Sequence, residues 1–168
     1  NGYVLDDDMM LGDNAYVKQG LKGIPALLTT PHLKGYMDGI TDTYRPLSLV
    51  MFAIEYQFFG PTPMATHLFT VLTFAAAVLM LFFFLHRLLQ GERILLAFTT
   101  PLLFAVHPIH TEAVANIKTR DEVLCFMLAF LSLNIFISYA RSGKLAQLLS
   151  GTFCFFLAII SKETAATF

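Results

Sequence analysis

Three groups of residues in this chain have the types and spacing to do chemistry. Asp6, Asp7 and Asp8 are adjacent, and carboxylates this close raise one another's pKa unless a cation or metal stands nearby. In extended backbone Asp6 and Asp8 point one way and Asp7 the other. Such a set suits a general base acting on a hydroxyl, or Asp6 and Asp8 as ligands for Mg²⁺ or Mn²⁺; the plain alternative is a solvated acidic loop. The second group is His107-Pro108-Ile109-His110-Thr111-Glu112. On a helix His107 and His110 share a face, but the proline between them and the absence of His-Glu-x-x-His spacing argue against zinc. That leaves imidazoles and an acid at a water interface. The third group is Arg45, Lys118, Arg120 and Lys162. These cations either pair with carboxylates or hold a phosphate, for which the arginine fork is suited.

The elements that must position these groups follow from composition. The 168 residues are 56% hydrophobic, 14% aromatic and 14% charged, with a net charge of −1 and a mean hydropathy of +0.64. Soluble domains carry about 25% charged residues, so this chain cannot cover itself against water and reads as a membrane protein. Its near-zero net charge argues against nucleic acid as a partner. Cys125 and Cys154 sit in apolar runs without metal or redox spacing and read as buried packing residues. There is no glycine-rich phosphate loop, nucleophile elbow or N-glycan acceptor site.

Residues 1–62, broken by Gly12, Gly20, Gly23, Gly35 and Gly39, read as an external loop with one short helix around Asn14 to Leu21. Within it Ser48 to Phe59 is apolar except for Glu55 and Gln57 and too short to cross a bilayer. It therefore reads as an interfacial or re-entrant helix, with Glu55 facing water or Arg45. Transmembrane helices are expected at about 63–86, 94–107, 123–140 and 145–161. Thr62 is placed to cap the first, with Pro63 at its opening position. Pro101 implies that the short second run is tilted, kinked or extended past Pro108. Thr119 and Glu122 have capping-box spacing before the third.

Arg87, Arg93, Arg141 and Lys144 fall in the two loops that share a side if every run crosses, and the positive-inside rule makes that side cytoplasmic. The acidic loop, the His107 to Glu122 segment and Ser161 to Thr164 then share the opposite face. Ionisable residues gathered at span ends suggest a surface site. A transporter or flippase would place them near mid-span, and a non-catalytic anchor for other domains would not need them.

In this order the clusters resemble a known family. Tyr3-Val4-Leu5-Asp6-Asp7, Tyr44-Arg45-Pro46-Leu47, the block from His107 to Asn116, Arg120 with Glu122, and Ser161-Lys162-Glu163-Thr164 are similar to signatures of GT-C superfamily membrane glycosyltransferases. The resemblance is to the transmembrane and tetratricopeptide-repeat O-mannosyltransferases and their bacterial relatives. It implies an all-α, polytopic GT-C-like bundle with an acidic first external loop, in a bacterial inner membrane or endoplasmic reticulum. It also implies a sugar donor on polyprenyl or dolichyl phosphate, mannose above all, and a hydroxyl acceptor on protein or glycan. The chain would then be a piece of a longer protein, with an upstream span and C-terminal repeats outside it. Carried over, Asp6 or Asp7 is the base; Arg45, Arg120 and Lys162 meet the lipid phosphate; His107, His110, Glu112, Glu122 and Glu163 shape the site. The chain departs from many relatives at Thr70, Phe74 and Thr119, where Asn, His and Gly are common.

Overall fold

The computed structural model describes Asp7, Met10, Leu11, residues 13–36 and residues 43–168. The described residues form helices α1 (Ile24–Thr29), α2 (Pro46–Phe59), α3 (Pro63–Leu88), α4 (Ile94–Val106), α5 (His110–Ala115), α6 (Arg120–Ser142) and α7 (Leu145–Ser161). Short 3-10 turns at Val17–Gly23, Ile117–Thr119 and Glu163–Thr167 connect or extend them. No strand occurs among the described residues.

Two segments, Pro63–Leu88 and Ile117–Ser142, are long and apolar enough to cross a membrane. Only 17% and 39% of their apolar windows are buried, whereas the core helix of a soluble protein would be enclosed. The outward faces carry Leu68, Leu72, Leu95, Leu103, Phe153 and Phe156, all at least half exposed. An apolar exterior of this extent is the surface a membrane protein presents to its surroundings. Helix α4 has 13 residues and α7 has 17, giving lengths of about 20 and 26 Å. Helix α4 runs through Pro101 but stops at Val106, and a separate helix opens at His110; the second run does not extend past Pro108.

Helix α6 is the common partner, packing along α3 on one side and α7 on the other, while α4 lies against α3. The close approach of α7 depends on Gly151: a Cβ there would come within 2.7 Å of the Phe136 ring. Ser132 Oγ, buried in the same crossing, donates to Gly151 O at 2.8 Å. Between the two helices Gly143 ends α6 in the left-handed region, φ 65°, which glycine adopts at little cost. Cys125 is buried in this interface, as expected, whereas Cys154 is only half-buried.

The segment before α3 makes its own small core against α2. Leu49, Phe52 and Ala53 of α2 meet Met10, Leu11, Val17, Leu27 and Ile117. Asn14 organises the entry, its Oδ1 accepting from the amides of Tyr16 at 3.0 Å and Val17 at 3.1 Å. Glu55 does not face water or Arg45. It is 5% exposed and paired with Arg120, because α2 lies with that face against the start of α6.

Candidate active site

The start of α2, the start of α6 and the end of α7 converge at one end of the bundle. Arg45 directly precedes Pro46, whose fixed φ suits the first helical turn. Its guanidinium spans the other two helix ends. Nη1 donates to Asp121 Oδ2 at 3.1 Å and Nε to Glu163 Oε2 at 2.9 Å, while Nη2 bonds Glu163 Oε1. Asp121 is itself held, since Oδ1 accepts from the Glu122 amide at 2.8 Å. Ser161 Oγ closes the end of α7 onto Asp121 O at 3.0 Å.

Around these groups lies a cavity of about 220 Å³ whose wall carries Arg45, Lys118, Asp121, Glu122, Lys162 and His32 beside Met10, Leu33 and two threonines. Lys162 pairs with Glu122. His32 Nδ1 sits 3.1 Å from Arg45 O, and burial pushes the imidazole below its ordinary pKa. Asp7 is fully enclosed and enters through Lys118, whose amide donates to Asp7 Oδ1 at 3.1 Å and to Asn116 Oδ1 at 3.1 Å. Asp6 and Asp8 lie outside the described residues. No group of His, Cys and carboxylate side chains among the described residues has the arrangement of a metal site.

Arg120 stands apart from this cavity. It is wholly buried, with Nη1 on Glu55, Nε on Thr70 Oγ1 at 3.1 Å and Nη2 on Thr70 Oγ1 at 2.9 Å and on Thr66 O. The guanidinium also lies 4.5 Å from the centre of the Phe52 ring, a cation–π distance. It thus joins α2, α3 and α6.

His107 and His110 are not on one helix face. His107 ends α4 and His110 begins α5, leaving their rings 6.2 Å apart. His110 rests on Phe104 at 4.1 Å and Phe74 at 5.5 Å. With Phe126 these rings line a second, mostly apolar cavity of about 190 Å³. Glu122 borders both cavities. Glu112 is exposed at the surface. Thr119 does not form the expected capping box: its hydroxyl donates to Asn116 O at 2.7 Å and Ala113 O at 3.1 Å, while Glu122 is taken by Lys162.

No family model and no solved structure matches the chain. Curated relatives do. The chain is 32% identical over 177 residues to the mouse protein O-mannosyl-transferase TMTC1, covering 98% of this chain and 19% of that protein. It is 31% identical over 174 residues to Tmtc1 of Drosophila melanogaster, covering 99% and 19%. To human TMTC3 it is 39% identical over 102 residues, covering 60% and 10%. The chain is homologous to the protein O-mannosyl-transferases. It spans about a fifth of the length of the first two relatives (19%).

Against these O-mannosyl-transferase relatives, the geometry separates the residues singled out by sequence. Arg45, Lys162, Glu122 and Glu163 come together, and Asp7 joins them through Lys118. His110 belongs to the apolar cavity, and Arg120 to the helix junction. Asp121 and His32 are additions. Asp121 lies beside two flagged residues, Arg120 and Glu122, but only the packing shows that it faces Arg45. No spacing in the sequence points to His32.

Arg45 gives this end of the molecule a measurable pH response. Its hydrogen bonds pull the Glu163 carboxyl from 4.5 to about 2. A carboxylate with a lowered folded pKa contributes stability above its unfolded pKa and loses it as pH falls through the folded one. The Arg45–Glu163 link should therefore persist at pH 5 and be lost progressively between pH 4.5 and about 2. An NMR titration of the Glu163 carboxyl is the check; a midpoint near the ordinary value of about 4.3 would refute the contact.

Proposed function

We propose that this chain contributes the acceptor-activating and phosphate-binding part of a glycosyltransferase site. The enzyme would move a sugar, mannose in the first place, from a polyprenyl or dolichyl phosphate to a hydroxyl of a protein. The observation that carries this is the charged cavity bearing Arg45, Lys118 and Lys162 at one end of lipid-facing helices, adjoining an aromatic-walled apolar cavity through Glu122. A donor whose head is a phosphate and whose tail is a hydrocarbon needs that juxtaposition. The relatives, protein O-mannosyl-transferases, suggest the sugar and the acceptor class.

In the proposed step Asp7, or its neighbour Asp6, takes the proton of the acceptor hydroxyl. The oxygen attacks the anomeric carbon from the face opposite the phosphate, and the carbon–oxygen bond to phosphate breaks with inversion. The lipid phosphate leaves with the electron pair, its charge met by Arg45 and Lys162. Arg120, spent on Glu55 and the α3 threonines, holds the helices that carry these groups. The orienting charges Arg87, Arg93, Arg141 and Lys144 support a site on the non-cytoplasmic face. A divalent cation, if the reaction uses one, would bind through Asp6 and Asp8.

Transfer of mannose from polyprenyl-phosphate mannose to a Ser/Thr peptide by the full-length protein tests this directly. Arg45→Gln or Lys162→Gln should raise the donor KM or lower turnover by roughly tenfold to a hundredfold, the scale of one charged hydrogen bond. Wild-type kinetics in both would overturn the phosphate assignment. Absence of any transfer by the wild-type protein, with nucleotide mannose also tried as donor, would overturn the reaction.

A further inference from the structure

At the opposite end of the bundle α3, α6 and the turn between α3 and α4 form a second charged site. Arg87 Nη1 donates to Asn134 O and Ser138 Oγ, both at 3.1 Å. Arg141 Nη2 donates to Arg87 O at 2.8 Å. These bonds hold both arginines at the wall of one cavity. Neither has a carboxylate within ion-pair distance among the described residues. Arg87 keeps Nε and Nη2, and Arg141 keeps Nε and Nη1, without protein acceptors there.

The two arginines open onto a cavity of about 480 Å³ whose remaining wall is His86, Gln90 and Gly91. Arg87 also borders a second cavity of about 380 Å³ that runs up between α3, α6 and α7. Its wall carries Met80, Phe83, Leu131 and Ile135 together with the polar Asn134, Ser138, Gln147 and Ser150. Asn134 is 4% exposed, and its Nδ2 is used by Met80 O and Phe130 O. Its buried Oδ1 accepts no hydrogen bond. A buried acceptor without a donor is costly, and Asn134 is one of the residues around the cavity.

We propose that this end binds an anionic phospholipid. The phosphodiester would lie between Arg87 and Arg141, a headgroup or glycerol hydroxyl would donate to Asn134 Oδ1, and the first acyl carbons would enter the slot at Met80 and Leu131. Two unneutralised guanidinium groups call for an anion. The slot that continues from them adds Met80, Phe83, Leu131 and Ile135 to its polar groups, a surface that suits the glycerol and first acyl carbons of an amphiphile, and its position at the end of apolar-faced helices supplies that amphiphile. The site is separate from the Arg45 cavity and does not depend on what is transferred there.

The test is native mass spectrometry of the full-length protein released from phosphatidylcholine nanodiscs doped with phosphatidylglycerol. Two arginines near the surface correspond to roughly 30-fold preference for the anionic lipid. Arg141→Gln, at an exposed position, should remove a large part of it, and Arg87→Gln with Arg141→Gln nearly all. Arg93→Gln, at the same end but outside both cavities, should leave it unchanged. Equal loss in Arg93→Gln, no preference in the wild type, or displacement of the lipid by an equal concentration of inorganic phosphate would each overturn the proposal. Should the double variant not fold, Arg141→Gln against Arg93→Gln decides alone.

Discussion

Asp7→Asn is expected to slow mannosyl transfer by about 10²–10⁴-fold, the usual contribution of a positioned general base, with the fold intact. Asparagine has the shape of aspartate, and its Oδ1 can still accept from the Lys118 amide, which lies 3.1 Å from Asp7 Oδ1. What the substitution removes is the capacity to take a proton. Because Asp7 is enclosed, a structural role would show as a lowered melting temperature, so thermal unfolding is measured on the same preparation. A group acting on the acceptor should also lower turnover while leaving the donor KM in place, unlike Arg45→Gln. Asp6→Asn is assayed beside it, since either carboxylate can serve. Unchanged turnover in both variants would remove the acidic motif from the mechanism.

The helices were legible in the sequence where one physical rule dominates. Long apolar runs pair their backbone groups most readily within one helix, and the runs from Pro63, Ile94, Val123 and Leu145 lie in helices accordingly. Pro63 opens α3 as its missing amide predicts. Cap chemistry was less legible because side chains have several competing partners. Thr62 stands at the N-cap, yet its hydroxyl donates back to Phe59 O at 2.6 Å. The 3-10 turn Ile117–Thr119 brings preceding carbonyls to Thr119 before the α6 amides can use it.

Which cation meets which acid was not legible. Arg45 finds Glu163 across 118 positions and Asp121 across 76, while Arg120 finds Glu55 across 65. Type and composition made every one of these cations equivalent candidates for a phosphate. Only the packing of α2 against α3 and α6 divides them, enclosing Arg120 and leaving Arg45 and Lys162 at a cavity. Two positions where the chain departs from its resemblance fall at contacts of the candidate residues. Thr70 accepts from Arg120, and Phe74 packs on His110.

Arg120 and Glu55 give the largest expected effect on stability. Removing one partner of a buried ion pair leaves the other charge unpaired and costs about 3–5 kcal/mol. Glu55→Leu and Arg120→Met should each destabilise the protein by that amount in thermal unfolding. Arg120→Lys should recover little, because a single ammonium cannot reach Glu55, Thr66 O and Thr70 Oγ1 as the fork does. Replacing both charges by apolar residues, Arg120→Met with Glu55→Leu, should return much of the loss, since a buried pair often exchanges for hydrophobic packing at little net cost. The four species close a double-mutant cycle, and a coupling below about 0.5 kcal/mol, the scale of independent sites, would show that the pair is not a unit. The double variant also separates the two roles open to Arg120. If the guanidinium only joins α2, α3 and α6, a refolded double variant keeps its donor KM. A stable double variant whose donor KM rises more than roughly tenfold, the scale of a lost charged hydrogen bond, would instead put the lipid phosphate on Arg120.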